Sequence, residues 1–250
     1  MNATDQFEDL RPFVADEIPA AMQRIADSEA FDALARYVFP HRDVEEVRRM
    51  VRAIRTTDEF QMSVMYHVNL RIIRRTITRL TVDGLDALDP AERYLFISNH
   101  RDIVLDAAFL NVLLYDVGYD MTQIAIGDNL LIYPWIRLLV RLNNSFIVKR
   151  NLSARRLLEN SRILSAYIRH TLRQTHESIW IAQREGRAKD SNDQTQTSVL
   201  KMLCMAGEGD EGLLDNLMEL NIVPIAISYE YDPCDILVPD HTVCIIGTTD

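Results

Sequence analysis

Between residues 90 and 228 short apolar runs alternate with longer stretches of helical periodicity, and this alternation constrains the fold more than any other feature of the chain. The runs at 94–97, 123–126, 145–148, 178–182 and 222–228 have the length of buried strands and are bounded by polar or turn-forming residues. Helical stretches separate them at 103–115, 133–142, 154–172, 199–205 and 213–220. Strand followed by helix, several times over, predicts an α/β fold with a largely parallel central sheet flanked by helices. In such sheets ligands bind beside the loops that leave the carboxyl ends of the strands. Chemistry is therefore expected in those loops.

The segment before residue 90 has a different texture. Val44, Val47, Val51 and Ile54 recur at helical intervals with Glu45, Arg48 and Arg49 between them. A longer helix is expected at 58–80, with Arg71, Arg75 and Arg79 along one stripe and Ile73, Ile77 and Leu80 mostly opposite. Val82-Asp83-Gly84 and Leu88-Asp89-Pro90 supply turn chemistry and mark a boundary. The expected organisation is a helical N-terminal region at 1–88 and an α/β domain at 89–250, within the range for one core plus an appendage in a chain of 250 residues.

The net charge of -10 hides a local asymmetry. Residues 137–173 hold nine Lys or Arg against the single acid Glu159, whereas the first fifty residues carry eleven acids and six bases. An acidic protein with a basic stretch suits a phosphate-bearing ligand or an anionic surface. Nucleic acid is not expected, because no binding motif accompanies the basic segment and the remainder is strongly acidic. Cys204, Cys234 and Cys244 have no CxxC spacing, which fits free thiols in a reducing compartment and gives no metal cage. Residues 1–10 are acidic and polar, without the features of a signal peptide, and no apolar run approaches the roughly twenty residues of a spanning helix. The expected location is cytoplasmic.

The first strand-end loop is Ser98-Asn99-His100-Arg101-Asp102-Ile103-Val104-Leu105-Asp106. A histidine directly after a buried strand, with carboxylates shortly beyond, meets the needs of a general base and its orienting acid. A capping loop is the alternative, with Asp102 as helix N-cap and His100 a plain loop residue. Gly127-Asp128-Asn129 follows the second strand, Lys149-Arg150 the third and Arg184-Glu185-Gly186-Arg187-Ala188-Lys189 the fourth. Taken singly these are a turn, solvated charges and a basic hairpin. Taken in order they gather cations at strand ends, and the planar fork of arginine pairs bidentately with phosphate oxygens.

In this succession the chain resembles the glycerol-phosphate acyltransferase superfamily, which includes lysophosphatidate acyltransferases. Four blocks carry the resemblance between His100 and Tyr229. They are a His-x4-Asp block at Asn99-His100-Arg101; Gly127-Asp128-Asn129-Leu130 with Pro134 and Phe146-Ile147-Val148-Lys149-Arg150; Glu185-Gly186-Arg187; and Val223-Pro224 running into Ser228-Tyr229. Two departures stand out. Five residues separate His100 from Asp106, the favoured acid, with Asp102 as the other candidate. The third block is one residue short, so Arg187 carries over more firmly than Glu185.

The resemblance implies direct transfer of a fatty acyl group from a thioester to a hydroxyl of glycerol-3-phosphate or a lysophospholipid, in phospholipid synthesis. His100 and Asp106 would be catalytic. Gly127, Asp128, Asn129, Lys149, Arg150, Glu185, Gly186 and Arg187 would bind substrate, with cations on the acceptor's phosphate. No cofactor or metal is implied beyond acyl-CoA or acyl carrier protein as co-substrate. Peripheral contact with an anionic membrane is expected; Ile73 and Ile77 beside the Arg71, Arg75, Arg79 stripe would suit it, the alternative being an ordinary helix packed on the core with its arginines in water. The competing reading is a non-catalytic lipid- or phosphate-binding protein on the same fold. Residues 237–250 are expected to be a truncated or atypical end that leaves the sheet edge incomplete.

Overall fold

The computed structural model describes residues 5–188, 193–207, 212–230 and 241–247. Its helices are α1 (Ile18–Ala26), α2 (Phe31–Val38), α3 (Val44–Ala53), α4 (Thr57–Phe60), α5 (Tyr66–Thr76), α6 (Leu105–Asp116), α7 (Pro134–Leu142), α8 (Ala154–His170), α9 (Thr197–Leu203) and α10 (Leu213–Met218). Its strands are β1 (Ile77–Asp83), β2 (Leu95–Ser98), β3 (Gln123–Gly127), β4 (Ser145–Val148), β5 (Ile179–Ala182), β6 (Ile222–Tyr229) and β7 (His241–Gly247). The chain forms two compact units, one of residues 1–73 and 126–150, the other of residues 74–125 and 151–250. This division differs from a single cut at residue 88, because the smaller unit takes in the segment around α7 and β4.

The smaller unit is mostly helical. Ile18 and Met22 of α1, Phe31 of α2, Val47 and Val51 of α3, and Leu138 and Leu142 of α7 share one buried core. Asp43 caps α3 by accepting from the backbone N–H of Glu45 and Glu46 at 2.9 and 3.2 Å, which satisfies donors a helix start leaves open. Arg52 pairs with Asp27 at 2.6 Å and fastens α3 to the end of α1.

In the larger unit the strands run in the order β1-β7-β6-β2-β5-β3. β2 pairs parallel with β5 and β6, β3 pairs parallel with β5, and β1 pairs parallel with β7. Only β6 and β7 among these described pairs are antiparallel. The expected α/β fold with a largely parallel, helix-flanked sheet is thus the observed one. All four residues of β2 are buried, as a strand covered on both faces requires. α6 is apolar on nearly every side and buries Ala107, Phe109, Leu110, Val112 and Leu114, so it lies within the core rather than over it. Because β2, β5 and β6 are parallel, the loops that leave β2 and β5 share one edge of the sheet with the end of β6.

Two expectations are corrected. The helix foreseen at 58–80 ends at Thr76, after a π turn at Gln61–Met65, and the chain continues as β1. Arg79 therefore lies on a strand while Arg71 and Arg75 lie on α5, so no three-arginine helical stripe forms. Ile77, Thr78, Thr81 and Val82 are β-branched, disfavoured in helices and suited to a pleated surface. Arg71 instead lays its guanidinium over the Tyr37 ring, 5.8 Å from the centroid. The second correction concerns 241–247, which form β7 between β6 and β1 rather than an incomplete edge; residues 237–240 and 248–250 lie outside the described residues.

Candidate active site

His100 sits in the loop between β2 and α6, two residues past Ser98. Asn99 anchors this loop to β6: its side-chain Oδ1 accepts from Ile227 N at 2.7 Å and its Nδ2 donates to Ile227 O at 2.8 Å. The amide so extends the sheet's pairing by one step beyond the backbone of β2. On the other side, Gln183 N donates to Ser98 O at 2.7 Å and Ala188 N donates to His100 O at 2.8 Å. The loop after β5, which carries Glu185, Gly186 and Arg187, is thereby fastened alongside the histidine loop. Gly186 adopts φ +72°, a conformation natural for glycine, to make that return. Lys189 lies outside the described residues.

The two candidate acids have separate roles. Asp106, in the first turn of α6, is fully buried, and its Oδ2 lies 3.0 Å from His100 Nδ1. The same oxygen accepts from Arg101 N at 2.8 Å and Asp102 N at 3.0 Å, while Oδ1 accepts from the Tyr229 hydroxyl at 2.8 Å. Asp102 Oδ1 instead accepts from Val104 N and Leu105 N, both at 2.8 Å, and so holds the turn that leads into α6. With every neighbour donating to it, the Asp106 carboxylate acts as acceptor, which leaves Nδ1 of His100 protonated and places the lone pair on Nε2. The Trp180 indole stands edge-on to the imidazole with centroids 6.0 Å apart, and its Nε1 donates to Ser98 Oγ at 3.0 Å. Arg101 pairs with Asp193, which also accepts from Asn99 Nδ2 at 3.2 Å.

Tyr229 closes the fourth block of the resemblance, but the sequence assigns it no role at the site. Burial, together with the neighbouring Asp106 carboxylate, holds its phenol pKa far above the usual value, so the hydroxyl stays a donor. The available signal was its parity with Val223, Ile225 and Ile227, the buried side of β6.

The remaining candidates belong to the smaller unit. Gly127 ends β3, and a Cβ there would lie 2.4 Å from Asn129 Oδ1 and 3.2 Å from Arg150 Nε, so the three residues are drawn close by the absence of a side chain. Asp128 Oδ1 accepts from Arg150 N at 3.0 Å and fixes the turn after β4 against the turn after β3. Lys149 pairs with Asp9 at 3.3 Å. Among the described residues no cluster of His, Cys, Asp or Glu is placed to hold a metal ion, and no helix is long and apolar enough to cross a membrane.

Residues 79–228 match the family model described as Acyltransferase. No curated protein matches the chain in sequence. Among solved structures the chain is similar to the 1-acyl-sn-glycerophosphate (LPA) acyltransferase PlsC from Thermotoga maritima, with a TM-score of 0.52 at 12% identity, over 94% of this chain and 83% of that one. At such low identity the likeness speaks for the fold. The family match is the stronger statement, since it spans more than half of the sequence and takes in His100, Asp106 and the loops after β3, β4 and β5: the chain belongs to the acyltransferase family.

Proposed function

We propose that the chain moves a fatty acyl group from an acyl thioester, borne by coenzyme A or acyl carrier protein, to a hydroxyl of glycerol-3-phosphate or a lysophospholipid in phospholipid synthesis. The observation that carries this reading is the 3.0 Å contact between His100 Nδ1 and the buried Asp106 carboxylate, which presents Nε2 as a base. Nε2 takes the proton of the acceptor hydroxyl while that oxygen bonds to the thioester carbonyl carbon. The tetrahedral intermediate then collapses with cleavage of the C–S bond, and the departing thiolate recovers the proton from the imidazolium. Asp106 stabilises the imidazolium between the two transfers. A positioned base contributes about 10²–10⁴-fold. A thioester is already activated, so the reaction needs no protein nucleophile.

Arg187, in the loop hydrogen-bonded to the His100 loop, is the larger unit's candidate for the acceptor's phosphate. Gly127, Asp128, Asn129, Lys149 and Arg150 keep the substrate-binding role that the family resemblance implies, as do Glu185 and Gly186. Peripheral contact with an anionic membrane belongs to the same reading. Ile103 and Val104 are half-exposed beside His100, and Arg155, Arg156, Leu157 and Leu158 are exposed at the start of α8.

The test is release of free thiol from an acyl thioester in the presence of each acceptor, with mass spectrometry of the lipid formed. His100→Ala should lower turnover at least about a hundredfold in a folded protein. Full activity of that variant refutes the reading. Absence of thiol release by the parent chain with every donor and acceptor favours a non-catalytic lipid- or phosphate-binding protein instead.

A further inference from the structure

We infer that Tyr229 is a positioning residue of the reaction, which acts by fixing the second oxygen of Asp106 so that the first stays aligned on His100. The inference rests on the proposed role of His100 as base and adds a residue to it. Tyr229 lies one position beyond the stretch that matches the family model.

The two oxygens of Asp106 are served unequally. Oδ2 receives His100 Nδ1, Arg101 N and Asp102 N, while Tyr229 is the donor that reaches Oδ1 among the described residues. A carboxylate turns readily about its terminal torsion, so three donors on one oxygen fix that atom's place but leave the plane of the group to be set by the other. A buried carboxylate oxygen without a donor is also costly, which gives the group a reason to turn toward whatever donor it can find. The Tyr229 hydroxyl removes both freedoms.

Tyr229 is itself held from several sides. Its backbone pairs with Val243 of β7, and two residues earlier Ile227 is clamped through both N and O by Asn99 of the histidine loop. Its ring packs on the buried Phe109 ring of α6 at 6.2 Å between centroids, one turn beyond Asp106. Asn99 ties β6 to the base and Phe109 ties it to the helix that carries the acid, so the hydroxyl is delivered to a fixed point relative to both.

Tyr229→Phe keeps the ring and its packing and deletes the donor. We expect kcat to fall about tenfold, the effect of one hydrogen bond to a charged group, with the KM values of donor and acceptor unchanged. A tyrosine that merely supports the fold would lower activity by the same factor in any background. A residue that acts through Asp106 loses its effect once the side chain it holds is gone, so adding Tyr229→Phe to Asp106→Ala should change kcat less than about twofold. Equal losses in the two backgrounds, a change confined to KM, or parental kcat in the single variant would overturn the inference. Should the phenylalanine variant fail to fold, 3-fluorotyrosine placed at position 229 retains ring and hydroxyl but sharpens the donor: altered kcat at constant KM supports the inference and unaltered kcat overturns it. His100→Ala, run alongside, separates the two levels, because full activity there refutes the base itself, whereas an inactive His100→Ala with an indifferent Tyr229→Phe refutes the positioning role alone.

Discussion

Asp106→Asn and Asp102→Asn make the same chemical change four residues apart, and the structure expects opposite consequences. At 106 the carboxylate accepts from His100, Arg101, Asp102 and Tyr229. An amide offers one oxygen, and the three donors around Oδ2 keep that oxygen in place, so the NH2 turns to the Tyr229 hydroxyl, which can accept as well as donate. The group therefore stays put while its charge disappears. The imidazolium formed during transfer then loses an ionic partner of the kind worth about 1.5–3 kcal/mol, or roughly ten- to hundredfold in kcat. Because the imidazolium is absent from the ground-state complex, KM should hardly move. At 102 the side chain holds the turn into α6 through Val104 N and Leu105 N, and asparagine offers the same acceptor oxygen to both. Turnover of Asp102→Asn should stay within about twofold of the parent, and Asp102→Ala should lose about 1 kcal/mol of stability. Thiol release at saturating acceptor gives kcat, and denaturant midpoints give stability. Greater loss of turnover at 102 than at 106, in folded proteins, would refute the assignment of the acid.

Two further outcomes are expected. Arg187→Ala should raise acceptor KM about ten- to hundredfold by removing a charge-assisted contact to phosphate, while Arg162→Ala, exposed on α8, should cost little; equal behaviour of the two, or movement of donor KM alone, argues against a phosphate role for Arg187. In the smaller unit, the hydrogen bond from Arg11 at 2.6 Å holds Glu17 below its ordinary pKa, so this carboxylate stabilises the fold fully above the usual glutamate value of about 4.3 and loses that contribution as pH falls through its lowered folded value. Glu17→Gln should therefore be less stable than the parent at pH 7 and converge with it in acid; a gap that stays constant down to about pH 3 contradicts the pairing.

The strands that the sequence declares are short apolar runs between polar or turn-forming residues. β3, β4 and β5 appear within one residue of the expected positions, since a four-residue apolar run between turn formers has few other places to go. β1 is different. Its residues Ile77, Thr78, Arg79, Leu80, Thr81 and Val82 continue the apolar spacing of α5 closely enough to extend a helix on paper. What makes them a strand is pairing with β7, from Ile77 with His241 to Asp83 with Ile246, with one register shift between Ile77 and Arg79. A partner so distant in sequence leaves no local mark, because strand preference is set by the neighbour as much as by the residue. The same holds at the site. His100 and a following acid are visible as a spacing, but the choice between Asp102 and Asp106 depends on where the backbone N–H groups of 101, 102, 104 and 105 point. The role of Tyr229 is invisible for the related reason that its hydroxyl meets Asp106 across 123 positions of chain.

The extra residue between base and acid also has a physical account. Catalysis sets a distance between a carboxylate oxygen and Nδ1, not a number of residues, and the carboxylate's place is fixed by where α6 begins. Asp102 holds the turn into that helix, and Asp106 lies in its first turn, where unpaired N–H groups and the positive end of the helix dipole favour a negative charge. The intervening loop then closes back on the acid, since Arg101 N and Asp102 N both donate to the oxygen that faces His100. With two of its own N–H groups on the carboxylate, this loop accommodates its length while the acid stays beside His100. The helix start, rather than the count from the histidine, sets where the carboxylate meets His100.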